Sequence, residues 1–438
     1  MVFKKEHLGS FIRIEKGLTY RGECLVEKSD TALIGMDSFI PGGGYKAGSE
    51  KPYDGLFKSQ NTVEAGDLVL CATDVTQDGS VLSAPLLVPD DLGGYECLVY
   101  SHHVGRVKVV NEGLLPEFIY NFFRIPENRI RCAYGDSGTT VRSLPYEVVY
   151  EQEIPVPAVK EQDRINSFIA TLDRKIQLNT ALASTLERIA QSVFRSWFVD
   201  FDPVKAKMAG KKPFGMDDAT AALFPDSMED SELGPIPVGW KLSQIGYEVE
   251  CLGGSTPSTS NPEFWDGDIC WTTPKDLSKQ TGLVTTSSER RITNKGLERI
   301  SSGVLPVDSV LMSSRAPIGY LSINAVPTAI NQGFIALRHN PKFAPLYLLF
   351  WLQKNMAEIK NRAGGGTFAE ISKSAFKSIP FVVPDEVTLK KFGEISGPIL
   401  RQLTALTLQN RELIELRDSL LPRLISGELR IPEEMLVS

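Results

Sequence analysis

The chain has 438 residues, 42% of them hydrophobic and 23% charged, with 47 Lys and Arg against 54 Asp and Glu for a formal net charge of −7. This length gives room for about two to four domains with cores of their own, and the composition excludes a disordered or fibrous chain. No apolar run is long enough to span a bilayer and the start MVFKKEHLGS lacks a signal-peptide apolar core, so the expected location is the cytoplasm, with no membrane partner; the net acidity excludes a general nucleic-acid coat.

Residues 1–157 read as a mixed, strand-rich first domain with 15 basic and 22 acidic groups. Short apolar runs such as Asp67-Leu68-Val69-Leu70 and Arg106-Val107-Lys108-Val109-Val110 alternate with Gly, Pro and Asp turns. Pro116 opens a helix that runs to about Phe123. The cysteines Cys24, Cys71, Cys97, Cys132, Cys251 and Cys270 come no closer than nineteen residues, so no CxxC exists. Four histidines are too scattered for most zinc sites. In the one adjacent pair, His102-His103, strand geometry turns the rings to opposite faces, and no metal site is expected.

Residues 158–200 change character. Ile165, Phe168, Leu172, Ile176, Asn179, Ala183, Leu186, Ile189, Val193 and Trp197 step by three or four with no Gly or Pro between them. The spacing predicts one amphipathic helix of roughly 60 Å whose stripe needs a partner helix. Asn179 lies on that stripe, either to fix register or as a solvated break. Residues 201–238 read as a linker, punctuated by Pro203, Pro213, Pro225, Pro235 and Pro237 and acidic between Asp226 and Glu232.

Residues 239–384 read as a second domain like the first. Asp308-Ser309-Val310-Leu311 matches Asp67-Leu68-Val69-Leu70, and a helix from Pro345 to about Asn361 matches the one after Pro116. Its 15 basic and 11 acidic groups between residues 241 and 384 suit a phosphate partner better than the first domain does. Residues 385–427 read as a second long helix. Gly397-Pro398 predicts a short helix, a kink and a long helix that Gly427 stops, leaving 428–438 as a tail.

The similarity is a repeat. Residues 138–198 reappear as 365–425, shifted by 227 with no gap: Gly138, Thr140, Pro157, Arg174, Thr180 and Ser192 fall on Gly365, Thr367, Pro384, Arg401, Thr407 and Ser419. The expected fold is α+β: two mixed α/β domains separated by two long antiparallel helices, a coiled-coil spacer with pseudo-two-fold symmetry that brings the termini together. The expected seam holds Ile165, Leu172, Ile176, Leu186, Phe392, Ile399, Leu403 and Leu413.

Catalytic motifs are missing. There is no GxxxxGK[ST] phosphate loop and no PD with a spaced [DE]xK. Asn261-Pro262-Glu263-Phe264 superficially resembles an adenine-methyltransferase motif, but Glu263 replaces the second proline and no cofactor loop precedes it; it reads as a polar turn. Gly42-Gly43-Gly44 and Gly364-Gly365-Gly366 lack the strand–loop–helix context and the lysine of a nucleotide site. The second recurs as Gly135-Asp136-Ser137-Gly138, which suits a backbone loop near DNA or a structural loop.

Several segments resemble the specificity subunit of type I restriction–modification enzymes. They are Glu153-Ile154-Pro155-Val156-Pro157 leading into a long helix, Leu186-Glu187-Arg188-Ile189-Ala190-Gln191-Ser192, Gly239-Trp240-Lys241-Leu242, Asn331-Gln332-Gly333-Phe334, and the closing Leu416 through Leu429. The resemblance covers nearly the whole chain. It implies two target-recognition domains on double-stranded DNA, one half-site each, hence a place at the nucleoid, and a chain without catalysis of its own. It implies two methyltransferase subunits and restriction subunits as partners, with S-adenosylmethionine, Mg and ATP held by them and no cofactor here.

Base reading needs Arg, Lys, Asn and Gln at groove edges, in register through phosphate contacts. The candidates are Lys46, Lys51, Lys58, Arg106, Lys108, Arg131 and Arg142 in the first domain. In the second they are Lys275, Lys279, Arg290, Arg291, Lys295, Arg315, Asn331, Gln332, Arg362 and Lys373. Trp265, Trp271 and Phe368 suit either the core or the DNA face. The alternative is a cytoplasmic coiled-coil scaffold that ignores DNA.

Overall fold

In each half of the chain a fully buried strand stands between two apolar layers. Leu68–Cys71 is buried along its whole length. Alternation sends Leu68 and Leu70 to one side, with Phe118, Ile119 and Phe122, and Val69 and Cys71 to the other, with Ile34, Leu98 and Tyr100. Val310–Ser313 repeats this: Val310 and Met312 face Leu346, Leu349 and Phe350, while Leu311 faces Ile330 and Phe334.

The computed structural model describes residues 3–74, 81–91, 93–133, 142–365 and 369–432. They form two compact units, Met1–Lys175 with Leu413–Ser438, and Ile176–Glu412.

The first domain's main sheet is antiparallel, in the order Ile12–Lys16, Val104–Val109, Leu68–Cys71, Pro85–Leu87. A second sheet carries the parallel pair Thr31–Ile34 and Cys97–Tyr100, with Lys51–Pro52 on one edge and Thr62–Val63 on the other. The second domain follows the same plan. Its main sheet runs Cys251–Leu252, Phe334–Leu337, Val310–Ser313, Leu321–Asn324, Val284–Thr285. Its second sheet holds the parallel pair Trp265–Thr272 and Thr328–Ile330, flanked by Arg290–Ile292.

Each domain closes in the same way. A short helix, Tyr146–Tyr150 or Lys373–Lys377, precedes a strand, Glu153–Pro155 or Pro380–Val383. That strand pairs with one at the domain's start, Lys5–His7 or Lys241–Gln244. The long helices Val159–Phe198 and Glu386–Ser426 follow. Short helices and long helices both start 227 positions apart, the shift of the sequence repeat.

The helix pair is antiparallel within each unit. In the first, Ile165 and Ile169 share a core with Leu421, Leu424 and Ile425, and Phe3 N donates to Ser426 O at 3.3 Å beside the helix end. In the second, Phe194 packs on Phe392, and Ala183 and Leu186 lie against the core that holds Leu400 and Leu403. Of the seam residues, Ile165, Phe392 and Leu403 are buried; Leu172, Ile176, Leu186, Ile399 and Leu413 are half-buried. Asn179 is buried rather than solvated. Its Nδ2 donates to Gln409 Oε1 at 2.7 Å and to Asn410 Oδ1 at 2.9 Å.

Three features depart from the sequence reading. The second long helix has no end at Gly397-Pro398 but continues through it. A proline forfeits one helical hydrogen bond, and Phe392, Leu400 and Leu403 in one core hold the helix on both sides of it. The helix from Pro345 breaks at Asn355 into Pro345–Lys354 and Met356–Asn361, where Asn355 Nδ2 donates to Trp351 O at 2.8 Å. The stretch after residue 200 is folded, not a bare linker. Helix Asp202–Met208 buries Val204, and Phe224, which follows helix Asp218–Ala222, packs edge-on against Trp197 at 5.0 Å.

Candidate nucleic-acid interface

The parallel pair in each domain ends at one edge, with Ile34 opposite Tyr100 and Thr272 opposite Ile330. Chain leaving these ends forms two adjacent turns. In the second domain Thr273 caps helix Pro274–Ser278, reinforced by Asp276 Oδ2, which accepts from Thr273 N at 2.8 Å. Beside it lies the turn Asn331–Gly333. Asn331 Oδ1 accepts from Gly333 N at 2.9 Å, and Gln332 Oε1 accepts from Thr256 Oγ1 at 2.5 Å.

Charge gathers here. Glu289 sits between Lys275 and Lys279, at 3.1 and 3.4 Å. The hydrogen bond and charge of Lys275, with those of Lys279, hold the Glu289 carboxyl below the usual carboxylate range. Glu289 N also donates to Asp276 Oδ1 at 2.7 Å, which ties the edge strand to the helix. Next along, the Arg290 guanidinium lies over Trp265, 3.4 Å from the ring centroid, and 5.8 Å from that of Trp271. Both indoles are buried, 5.0 Å apart, and donate to Ser258 O and Ser255 O. They belong to the core and serve as the platform for an exposed cation. Arg291 donates to Asp268 O at 3.1 Å. Arg315 lies 3.6 Å from Glu370, and its neighbour Ser314 N donates to Gly333 O at 2.8 Å, which brings it to the same turn.

The structure thus brings Lys275, Lys279, Arg290, Arg315, Asn331 and Gln332 to one edge, while Arg291, next to Arg290 on the strand, turns to the other face and back toward Asp268. Lys295 pairs with Glu263 where Trp265 opens its strand, at the far end of that strand. Arg362 is held by Glu358 at 2.6 Å and by Ser378 Oγ at 3.2 Å. Lys373 is exposed at the start of its short helix.

The first domain carries less positive charge at the same edge. Lys51, on the edge strand, pairs with Asp37 in the turn after Ile34, at 2.6 Å. Here the carboxylate is on the turn and the lysine on the strand, the reverse of the second domain. Lys51 holds the Asp37 carboxyl down through its hydrogen bond and charge. Lys46 is exposed near this pair; Lys58 and Arg131 are exposed elsewhere on the domain. Arg142 lies on a short strand opposite Asp74. Arg106 and Lys108 are engaged by the protein itself. Arg106 is bound by Asp67 at 2.9 Å and by Thr62 O at 3.1 Å, and Lys108 by Glu15 at 2.9 Å. A strand residue facing another strand finds its counter-charge there, which spacing along one segment does not reveal.

His102 and His103 are in a turn, not a strand. Their rings lie 3.8 Å apart on one side, which corrects the expectation of opposite faces. His103 Nδ1 is 2.7 Å from Thr73 Oγ1. Among the described residues no group of three or more His, Cys, Asp or Glu is placed to hold a metal. Asn261 Oδ1 accepts from Glu263 N at 3.1 Å, as in a polar turn. Gly135 to Thr140, and Gly366, Thr367 and Phe368, lie outside the described residues. No helix of the described residues is long and apolar enough to cross a membrane.

Comparison with known proteins gives concordant matches. Residues 6–188 and 237–417 each match the family described as type I restriction modification DNA specificity domain. The chain is 28% identical over 388 residues to the type I restriction enzyme HindI specificity subunit of Haemophilus influenzae, covering 78% of this chain and 83% of that one. It is 38% identical over 162 residues to the MjaIX specificity subunit of Methanocaldococcus jannaschii, covering 36% of this chain and 38% of that one. The crystal structure of a type I restriction–modification S subunit from M. genitalium shares the fold at a TM-score of 0.52 and 15% identity, over 97% of this chain and 96% of that one.

Proposed function

The chain belongs to the type I restriction–modification specificity subunits, a family that recognises DNA and does no catalysis, and from that premise we propose that it binds a bipartite duplex target, one half-site per domain. The observation that carries this reading is the duplicated edge. Two domains of one topology place a pair of turns and their charged side chains at the same end of the same parallel strands. Base edges in a major groove are read by such side chains when phosphate contacts hold the register.

Division of labour follows. Two methyltransferase subunits would supply S-adenosylmethionine and base chemistry, and restriction subunits the ATP- and Mg-dependent steps, at the site this chain selects. The more basic second domain is suited to most of the phosphate contacts. Methylome sequencing of cells with and without this chain tests the proposal. The expected result is loss of one bipartite adenine-methylation motif. Retention of every methylated motif in its absence would overturn it.

A further inference from the structure

Three backbone hydrogen bonds superpose the turn Ser101–His103 of the first domain on the turn Asn331–Gly333 of the second. Leu18 N donates to Tyr100 O at 2.9 Å, as Ser255 N does to Ile330 O at 3.1 Å. Ser101 N donates to Ile34 O at 3.0 Å, as Asn331 N does to Thr272 O at 3.2 Å. Ala72 N donates to His103 O at 2.8 Å, as Ser314 N does to Gly333 O at 2.8 Å. Each turn then enters the main sheet at the same place, Val104 opposite Cys71 and Phe334 opposite Ser313. Residue by residue, His102 stands where Gln332 stands, and His103 where Gly333 stands.

The second of these positions differs for a visible reason. A Cβ on Gly333 would come 2.9 Å from Pro274 Cγ. In the first domain the same position holds a histidine, secured by Thr73 and lying against the ring of His102. That leaves His102 as the side chain at the position of the exposed Gln332. Its Nδ1 is buried without a partner, 6.4 Å separating its ring from that of Tyr20. A buried nitrogen without a partner is tolerated better as a bare acceptor than as an orphaned N–H. That places the proton on Nε2 and makes that nitrogen the donor. In the major groove a single donor finds its acceptor at N7 of a purine, O6 of guanine or O4 of thymine, whereas an amide such as Gln332 matches the acceptor–donor pair of adenine.

We infer that His102 is a base-reading side chain of the first domain, donating from Nε2 to a base-edge acceptor in the major groove, with His103 as the positioning residue that fixes its ring. This rests on the two-reader proposal above. The test uses the chain assembled with its methyltransferase subunits and reads the methylated motif of His102→Ala and His102→Gln. With His102→Ala, one base position of one half-site loses its preference by at least about tenfold, a difference of about 1.4 kcal/mol. The other half-site and the unread spacer stay as they are. With His102→Gln, which preserves size and polarity, that same position shifts toward adenine. His103→Ala weakens preference at this position alone. If both His102 variants keep the wild-type motif, or if preference falls equally in both half-sites, the inference is overturned. A wild-type complex that methylates no bipartite motif would instead overturn the two-reader proposal itself.

Discussion

Replacing Asp173 tests how the first unit holds its two long-helix segments. Asp173 accepts from Arg124 at 2.6 and 2.9 Å and from Arg417 at 2.9 Å, and Tyr120 lies under the Arg124 guanidinium, 5.2 Å from it. One carboxylate thereby joins the first helix to the domain helix Pro116–Arg124 and to the end of the second long helix. Breaking a buried pair costs about 3–5 kcal/mol because it strands the remaining charge. The Arg124 side chain is 7% exposed, but Asp173 is 26% and Arg417 18% exposed, and water offsets part of that cost. The expected cost of Asp173→Asn is therefore about 2–3 kcal/mol, or a fall of roughly 4–12 °C in the melting of this unit. Burial pushes the Asp173 carboxyl up, but the hydrogen bonds and charges of Arg124 and Arg417 outweigh it, and the group titrates below the usual range. The stabilisation is thus complete above the unfolded pKa of about 3.9 and is lost as pH falls through the lower folded value. Thermal melts at neutral pH and near pH 3 measure both effects, and Arg417→Ala combined with Asp173→Asn should show non-additivity. Wild-type melting of Asp173→Asn at pH 7, or strictly additive costs, would refute the reasoning.

Other outcomes follow from the same geometry. Leu403→Ala should destabilise the second unit by about 2–5 kcal/mol, while Leu172→Ala, half-buried, should cost less than half of that; thermal melting compares them. Asn179→Leu should leave stability equal or higher, because it removes a buried polar group while the exposed Gln409 and half-buried Asn410 amides turn to water; hydrogen exchange along both helices then reports a looser register. Arg290→Ala should weaken DNA binding by the assembled complex and lower its salt dependence by about one phosphate contact, read from affinities at several salt concentrations. Purified alone, the chain should neither methylate nor cut DNA in an assay with S-adenosylmethionine.

What could be read in the sequence was whatever repeats along one segment. The stripe from Ile165 to Trp197 returns from Phe392 onward, and the short and long helices begin 227 positions apart because the repeat carries no insertion there. Readings that needed a partner from far along the chain did not come through. Val204 and Phe224 are too isolated to form a pattern, yet both are buried beside Trp197. Arg106 looks like any other basic residue until Asp67 is found opposite it. The edge in the second domain draws on residues 255, 275, 289, 315 and 332, which meet only because two parallel strands end together. The turn at His102 and His103 resisted reading because its counterpart, Asn331–Gly333, shares the backbone and none of the side chains.

The clasp of Glu289 on Lys275 and Lys279 bears on how binding to DNA depends on salt. Each lysine that moves to a phosphate releases condensed counterions, giving a slope of about −0.9 per contact. The same movement leaves Glu289 bare, and a bare carboxylate draws cations back from solution. Part of the release is returned, so the slope for this domain should be shallower than its number of lysines and arginines suggests. Salt also loosens the clasp before any DNA arrives. On the two-reader proposal the two lysines would act less as standing charges than as charges on loan from a carboxylate.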